Sequence, residues 1–339
     1  MRHANVAFFV PHFGCPYACS FCDQRSISGQ SGLTSADEVT ETCQKAAEHL
    51  AGRDFPAEIA FFGGSFTAID RSVMTELLQA AYPFVQNGSF DGIRLSTRPD
   101  AVDQQVLSVL KAYGVTTVEL GAQSMDDGVL MQNKRGHSAY QVEKASALIR
   151  AEGFSLGLQM MLGLDGDTAE KSRMTAQKIA ALQPDCVRIY PTLVVEGTDL
   201  ARRYRAGQYV PLSLEEAVEQ TVWLLSFFEE RNIEVIRIGL HSETTLQSSC
   251  IAGPIHPAFG ELCYSRLWLK KAEKELKERF PKGTEVAFFV PEKDLSKAIG
   301  QKKENLRRLA QTGYPAKVIP DPELPKGAPF RVKEVKPCI

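Results

Sequence analysis

The chain lacks any run approaching the ~20 consecutive apolar residues that a membrane-spanning helix needs. Its opening, MRHANVAFFVP, carries one early basic cluster and a short apolar run, without a signal-peptide cleavage pattern. A cytoplasmic protein with no membrane partner is therefore expected. Strong net charge is missing too. The formal balance over 339 residues is −2, with 44% hydrophobic and 24% charged residues, an ordinary soluble composition with room for one large domain and a small one. Cysteine is sparse outside one stretch: Cys43, Cys186, Cys250, Cys263 and Cys338 stand alone, which excludes the dense disulfide framework of a small secreted domain. No internal repeat is present. VAFFVP occurs at 6–11 and again at 286–291, but nothing around the two copies matches.

The small net charge hides an asymmetry. From Arg266 onward, 18 Lys and Arg face 10 Asp and Glu, a net of +8, which leaves −10 for the residues before it. A basic tail on an acidic body points to a polyanionic partner. A helix with a solvated charged face accounts for KKAEKELKER (270–279), but not for the basic residues beyond it.

Between residue 5 and about residue 240, short apolar runs alternate with amphipathic stretches. Strands are expected at 6–10, 58–64, 92–97, 117–124, 155–164, 186–192 and 234–240. Helices are expected at 35–50, 71–84, 102–114, 138–153, 167–184 and 213–232, several opening on Ser, Asp or Thr and closing at Gly, Pro or Asn. Such alternation implies an α/β fold with a parallel sheet, and six or seven units favour a partial or full (β/α) barrel, with the site at the C-terminal ends of the strands. Residues 241–265 read as a link with few periodic features. A charged helix (266–280), a strand (284–291), two short helices around IGQKK (299–303) and a last strand or two are expected after it. The expected domains are 1–265 and a small α+β domain at 266–339.

Cys15, Cys19 and Cys22 fall in PHFGCPYACSFCDQRSISG, just after the first expected strand. Thiolates on one loop suit zinc or an iron–sulfur cluster. Zinc would need a fourth ligand such as His12 or Cys43, since no second ligand pair is visible. A ferredoxin-type cluster would want a fourth cysteine, also missing. Three ligands leave one coordination position open.

Cys-x3-Cys-x2-Cys, with Phe21 before the last cysteine and FFGGSF (61–66) at the end of the second strand, resembles the signature of the radical S-adenosylmethionine (SAM) enzymes. Within that superfamily the chain is most similar to the radical-SAM half of the Elongator catalytic subunit family. The resemblance covers about residues 5–267 and is carried by GGSF (63–66), IRLSTRPD (93–100), VELGAQS (118–124), NKRGHS (133–138), VRIYPTLVVEGTDL (187–200) and AGPIHPAFGELCYSRL (252–267). The oxygen-independent coproporphyrinogen oxidases are more distant cousins. The resemblance implies a 4Fe–4S cluster on Cys15, Cys19 and Cys22, whose open iron binds SAM and which cleaves it to a 5′-deoxyadenosyl radical. It implies that Gly63, Gly64 and Ser65 border SAM, that Gln123 and Arg135 contact its nucleoside and carboxylate, and that Gln159 and Ser96 face the same pocket. Arg98, Arg188 and Tyr190 end adjacent strands and are candidates for binding or orienting substrate. Tyr190 and His241, which follows the last strand, are the catalytic candidates.

Two features depart from the Elongator relatives. The first cysteine gap is shorter, and no Gly-rich CoA pyrophosphate loop is visible in 266–339, so the acetyltransferase domain is expected to be absent. In its place, residues 284–320 resemble a KH domain, whose Gly-x-x-Gly loop clamps a sugar–phosphate chain. Here Gly300 is kept, the second glycine is Lys303, and Lys302 and Lys303 supply charge for phosphates. The leading expectation is a radical SAM enzyme acting on RNA, with tRNA favoured and an external electron donor. A radical SAM enzyme for a small molecule or peptide is the second, and a non-enzymatic RNA-binding protein with a structural metal is the third. The oligomeric state is not legible.

Overall fold

The computed structural model describes residues 3–10, 19–23, 34–240, 244–325 and 327–335. They form two compact units, one of residues 1–214 with 228–255 and one of 215–227 with 256–339.

The first unit is built on seven parallel strands. They are β1 (Ala4–Val10), β2 (Ala57–Gly63), β3 (Gly92–Thr97), β4 (Val115–Gln123), β5 (Ser155–Leu162), β6 (Cys186–Pro191) and, after the two-residue β7 (Val194–Val195), β8 (Glu234–Ile238). Their order in the sheet is β1-β2-β3-β4-β5-β6-β8, so neighbours in sequence are neighbours in space. Among the described residues β1 and β8 each pair with one strand, and the architecture is the partial barrel of a (β/α) fold. Helices at Ala36–His49, Arg71–Gln86, Gln104–Ala112, Ala139–Ala151 and Ala169–Ala181 connect these strands. Their starts follow from local chemistry. Ser35, Asp70, Asp103, Ser138 and Thr168 each accept a hydrogen bond from a backbone N–H of the first turn, a group that would otherwise lack a partner.

A parallel sheet covered on both faces reads as nearly continuous apolar sequence, and all six residues of β3 are buried. The exceptions are charged residues inside the sheet: Glu58, Arg94, Glu119 and Arg188 are all less than a tenth exposed. Strand alternation and register put Arg94 and Ser96 of β3, Glu119 and Gly121 of β4, Gln159 of β5, Arg188 and Tyr190 of β6 and Arg237 of β8 on one face.

Two expectations about the later chain need correction. The segment 241–265 is not featureless: it holds a short helix, Thr244–Ser249, and β9 (Cys250–Ala252), which pairs antiparallel with β7. The long helix of the second unit starts at Phe259 and runs to Arg279, seven residues before its charged portion. Phe259, Cys263 and Leu267 are buried at a four-residue spacing, a helical signal masked by the glycines and prolines just before it.

In the second unit β10 (Val286–Val290) lies between β11 (Ala316–Pro320), parallel to it, and β12 (Arg331–Glu334), antiparallel. Trp268, Phe288 and Phe330 meet edge to face in its core, with ring centroids 5.0–5.5 Å apart. Two short helices, Leu295–Ile299 and Glu304–Gln311, flank the turn Gly300–Lys303.

Candidate functional site

The C-terminal ends of the strands open into one cavity. Its walls include Gly63, Gly64 and Ser65 after β2, Ser96 and Arg98 at β3, Gln123 at β4, Arg135, Gln159 of β5, and Arg188 and Tyr190 of β6. Cys19 and Cys22 line it as well. The structure thus brings together every site residue read from the first part of the sequence except Cys15 and His241, which lie outside the described residues, as does His12. Lys302 and Lys303 belong to the other unit. Cys43 does not line the cavity. It is fully buried on the helix Ala36–His49, away from the wall that Cys19 and Cys22 line, and burial pushes its thiol up to about 12.

The cysteine loop is tied down at its second half. Ser20 N donates to the Asn133 carbonyl at 3.1 Å, and Ser20 Oγ donates to Asn133 Oδ1 at 2.7 Å. Asn133 is held in turn by donating Nδ2 to the carbonyls of Val129 and Asp165, both at 2.8 Å. Leu200 N donates to the Ser20 carbonyl at 2.7 Å, and Phe21 packs on Val194, Leu200, Ala201 and Tyr209. Cys22 N donates to the Cys19 carbonyl at 3.1 Å, closing a turn between two cysteines that both line the cavity.

Next to Cys19 sits Arg135. Its Nη1 is 3.6 Å from Cys19 Sγ, and its Nη2 donates to the Gly121 carbonyl at 2.6 Å. Gly121 is required here, since a Cβ would stand 2.7 Å from Arg135 Nη2 and 2.9 Å from Gln123 Nε2. Gln123 itself holds a φ of 65°, an uncommon left-handed conformation that turns it at the end of β4. Arg135 Nε and Gln123 Oε1 are buried without a hydrogen-bond partner among the described residues. A buried donor and a buried acceptor left unsatisfied on one cavity wall are costly unless a ligand meets them. Gly63 makes the second close approach: with φ at 101°, a Cβ there would lie 2.9 Å from the Val10 carbonyl oxygen, which accepts from Gly64 N at 2.7 Å.

Below this wall, charged groups are paired across strands. Arg188 donates from Nε and Nη2 to the Glu119 carboxylate at 2.5 and 2.8 Å, and its guanidinium lies 4.8 Å from the centre of the Phe62 ring. Arg94 Nη1 donates to Glu119 at 3.2 Å, and Arg94 Nε is 2.7 Å from Glu58 Oε2. Gln159 Nε2 donates to Ser96 Oγ at 3.0 Å and to Glu119 at 3.2 Å. Gly157 provides the room, since a Cβ at that position would lie 2.6 Å from Glu119 Cγ. Burial works against the charge of Arg188, but the Glu119 carboxylate outweighs it and holds the guanidinium protonated. Tyr190 is raised by burial, partly offset by Arg188, so its phenol keeps its proton at neutral pH.

Arg98 is engaged elsewhere: it donates to both oxygens of Asp100 at 2.9 and 3.2 Å and to the Arg135 carbonyl at 2.7 Å, which braces the Arg135 backbone. Glu58, Arg94, Glu119, Arg237 and Asn133 had escaped the sequence reading. The available signal was charge at alternate positions of strands otherwise apolar on both faces.

A cysteine-bearing segment at the C-terminal edge of a parallel partial barrel, facing orphaned polar atoms, has the form of a cofactor site in an α/β protein. Comparison with known families places it further. Residues 9–179 match the Radical SAM superfamily and residues 184–268 the Radical_SAM C-terminal domain, and the chain belongs to the radical SAM superfamily. Enzymes of this superfamily use a 4Fe–4S cluster and SAM. The chain is similar to the tRNA uridine(34) acetyltransferase of Dehalococcoides mccartyi, at 27% identity over 61% of this chain and 52% of that protein. It is similar also to Elongator complex protein 3 of Bos taurus, at 30% identity over 52% of this chain and 32% of that one. Among solved structures, Elp3 of Methanocaldococcus infernus shares the fold with a TM-score of 0.62 at 22% identity, over 80% of this chain and 63% of that chain. The chain thus spans about half or less of the length of these two curated relatives.

Proposed function

We propose that this protein is a radical SAM enzyme that modifies RNA, with tRNA the favoured substrate. The observation that carries the radical SAM part is the convergence of Cys19 and Cys22 with the unpartnered Arg135 Nε and Gln123 Oε1 in one cavity. The donor set fits the cofactors: soft thiolates for the cluster, and a buried donor and acceptor for a polar nucleoside and amino acid. Cys15, Cys19 and Cys22 would hold the cluster, while Gln123, Arg135, Gln159 and Ser96 would hold SAM. When bound, the reduced cluster supplies one electron that cleaves the sulfonium of SAM. The residues of this chain do the rest. Gly63 exposes strand-end backbone to the ligand, Arg98 braces the Arg135 segment, and Phe62, Leu193 and Val195 are apolar walls. Tyr190 keeps a proton beside Arg188, where it can donate a hydrogen bond to a substrate oxygen.

The RNA part is supported by the relatives named as tRNA uridine(34) acetyltransferases and by the basic balance from Arg266 onward. The KH-like reading of the second unit is supported by its helix–turn–helix at 295–311. Lys302 and Lys303 are exposed on that turn and hold φ of 49° and 61°. A glycine would take this left-handed conformation without strain, which accounts for the glycine in the usual loop. The test is anaerobic: reconstitute the cluster, add dithionite and SAM, and assay 5′-deoxyadenosine with and without total tRNA. Stimulation by tRNA supports the proposal. Turnover indifferent to RNA moves the substrate to a small molecule or peptide, and no turnover refutes the radical SAM activity.

A further inference from the structure

We propose that Arg237 is an anion subsite of the cavity, whose guanidinium takes an oxyanion, carboxylate or phosphate, carried by the molecule bound there. The inference rests on the proposed function and deepens it by naming a group the substrate presents.

Arg188 of β6 and Arg237 of β8 are partners on adjacent strands, and both line the cavity. Like charges directly across strands repel, and a low-dielectric setting strengthens the effect. The two arginines are treated differently by their surroundings. Two carboxylates, Glu58 and Glu119, lie in this layer, and two guanidiniums, Arg94 and Arg188, consume them. Arg237 is left without a carboxylate among the described residues. Its Nε donates to the Gly239 carbonyl at 3.2 Å, a neutral partner that leaves the charge uncompensated. Burial, offset in part by Tyr190 and reinforced by Arg188, holds the Arg237 guanidinium below its ordinary range.

A half-buried guanidinium that faces a cavity, with one neutral acceptor and no carboxylate partner among the described residues, is poised for a forked contact with two oxygens. The Tyr190 phenol, which keeps its proton, lines the same cavity and adds a donor. Leu193, Val195 and Leu240 keep the adjoining wall apolar, so the ligand end that reaches Arg237 is a compact anion rather than a hydrated chain.

The test uses the anaerobically reconstituted full chain, titrated at one ionic strength with sodium phosphate, sodium acetate or sodium chloride while the thermal midpoint is followed. A saturable rise with phosphate or acetate, beyond that with chloride, is expected, and R237Q weakens the apparent dissociation constant at least about tenfold. A response to phosphate alone assigns the subsite to a phosphodiester, a response to acetate alone to a carboxylate, and a response to both to any oxyanion. A wild-type response no larger than chloride, or an unchanged titration in R237Q, overturns the proposal. If R237Q does not fold, R237K keeps the charge without the fork and is expected to bind about threefold or more weakly. Equal binding by R237K then overturns it. No arm depends on SAM turnover, so failure here leaves the proposed activity standing, and loss of that activity leaves the subsite standing.

Discussion

Replacing Glu119 by glutamine tests the charged layer that underlies the cavity. Glu119 is fully buried, and its carboxylate accepts from Arg188 twice, from Arg94 and from Gln159. Glutamine keeps the shape but removes the negative charge and turns one acceptor into donors. Arg94 then keeps Glu58, and Arg188, 7% exposed, has no carboxylate partner among the described residues of the layer. Removing one partner of a buried pair costs about 3–5 kcal/mol, mostly the penalty of the charge left behind. Hydrogen bonds accepted by the glutamine carbonyl offset little of this, so a loss of about 3 kcal/mol is expected. Urea unfolding followed by far-UV circular dichroism is the assay, because Trp223 and Trp268 both lie in the second unit and their fluorescence reports that unit. The double variant E119L/R188M removes the buried pair together and should recover more than half of the loss. E119Q within about 1 kcal/mol of wild type would show that water or rearrangement already satisfies the arginines, and the account of the layer would be wrong.

Four further outcomes are expected. Cys15→Ala, Cys19→Ala or Cys22→Ala should abolish iron and sulfide loading and 5′-deoxyadenosine formation; retained SAM cleavage in any of them would refute the ligand set. Gly63→Ala places a methyl against the Val10 carbonyl at a φ of 101°, and should abolish SAM binding by equilibrium dialysis while costing roughly 1–3 kcal/mol of stability. His137 is buried and donates Nε2–H to the Ala122 carbonyl at 3.2 Å, and burial lowers it to about 3. The unfolded chain takes up a proton below its ordinary value of about 6.5 while the folded chain does not, so stability falls as pH drops from there toward 3. The slope gives about 2 kcal/mol lost between pH 7 and pH 5, and H137Q should flatten that part of the profile. Lys302→Glu with Lys303→Glu should weaken tRNA binding and flatten its dependence on log salt by about 1.4 or more, measured by filter binding across salt concentrations. An unchanged slope would remove this turn from the RNA surface.

The strands, most helices and the cysteine loop were legible in the residues because their causes are local. Apolar runs such as IAFF of β2 form strands wherever both faces can be covered, caps such as Ser138 start helices by satisfying their own first turn, and cysteines three and four residues apart share a short stretch of chain. The long helix from Phe259 was half missed because Gly, Pro and Ser before it obscured the spacing of Phe259, Cys263 and Leu267. Cavity residues with family-like positions, such as Gln123 and Arg135, could be named in advance, but not their orphaned atoms, which depend on Gly121 leaving them room. Only the tertiary structure decided which charges cancel. Glu119 and Arg188 are 69 residues apart, and Arg188 and Arg237 acquire opposite fates from strand register alone. Periodicity reports which way one strand's side chains point, whereas the pairing of a buried carboxylate is settled by distances across strands, which exist only once the sheet is assembled.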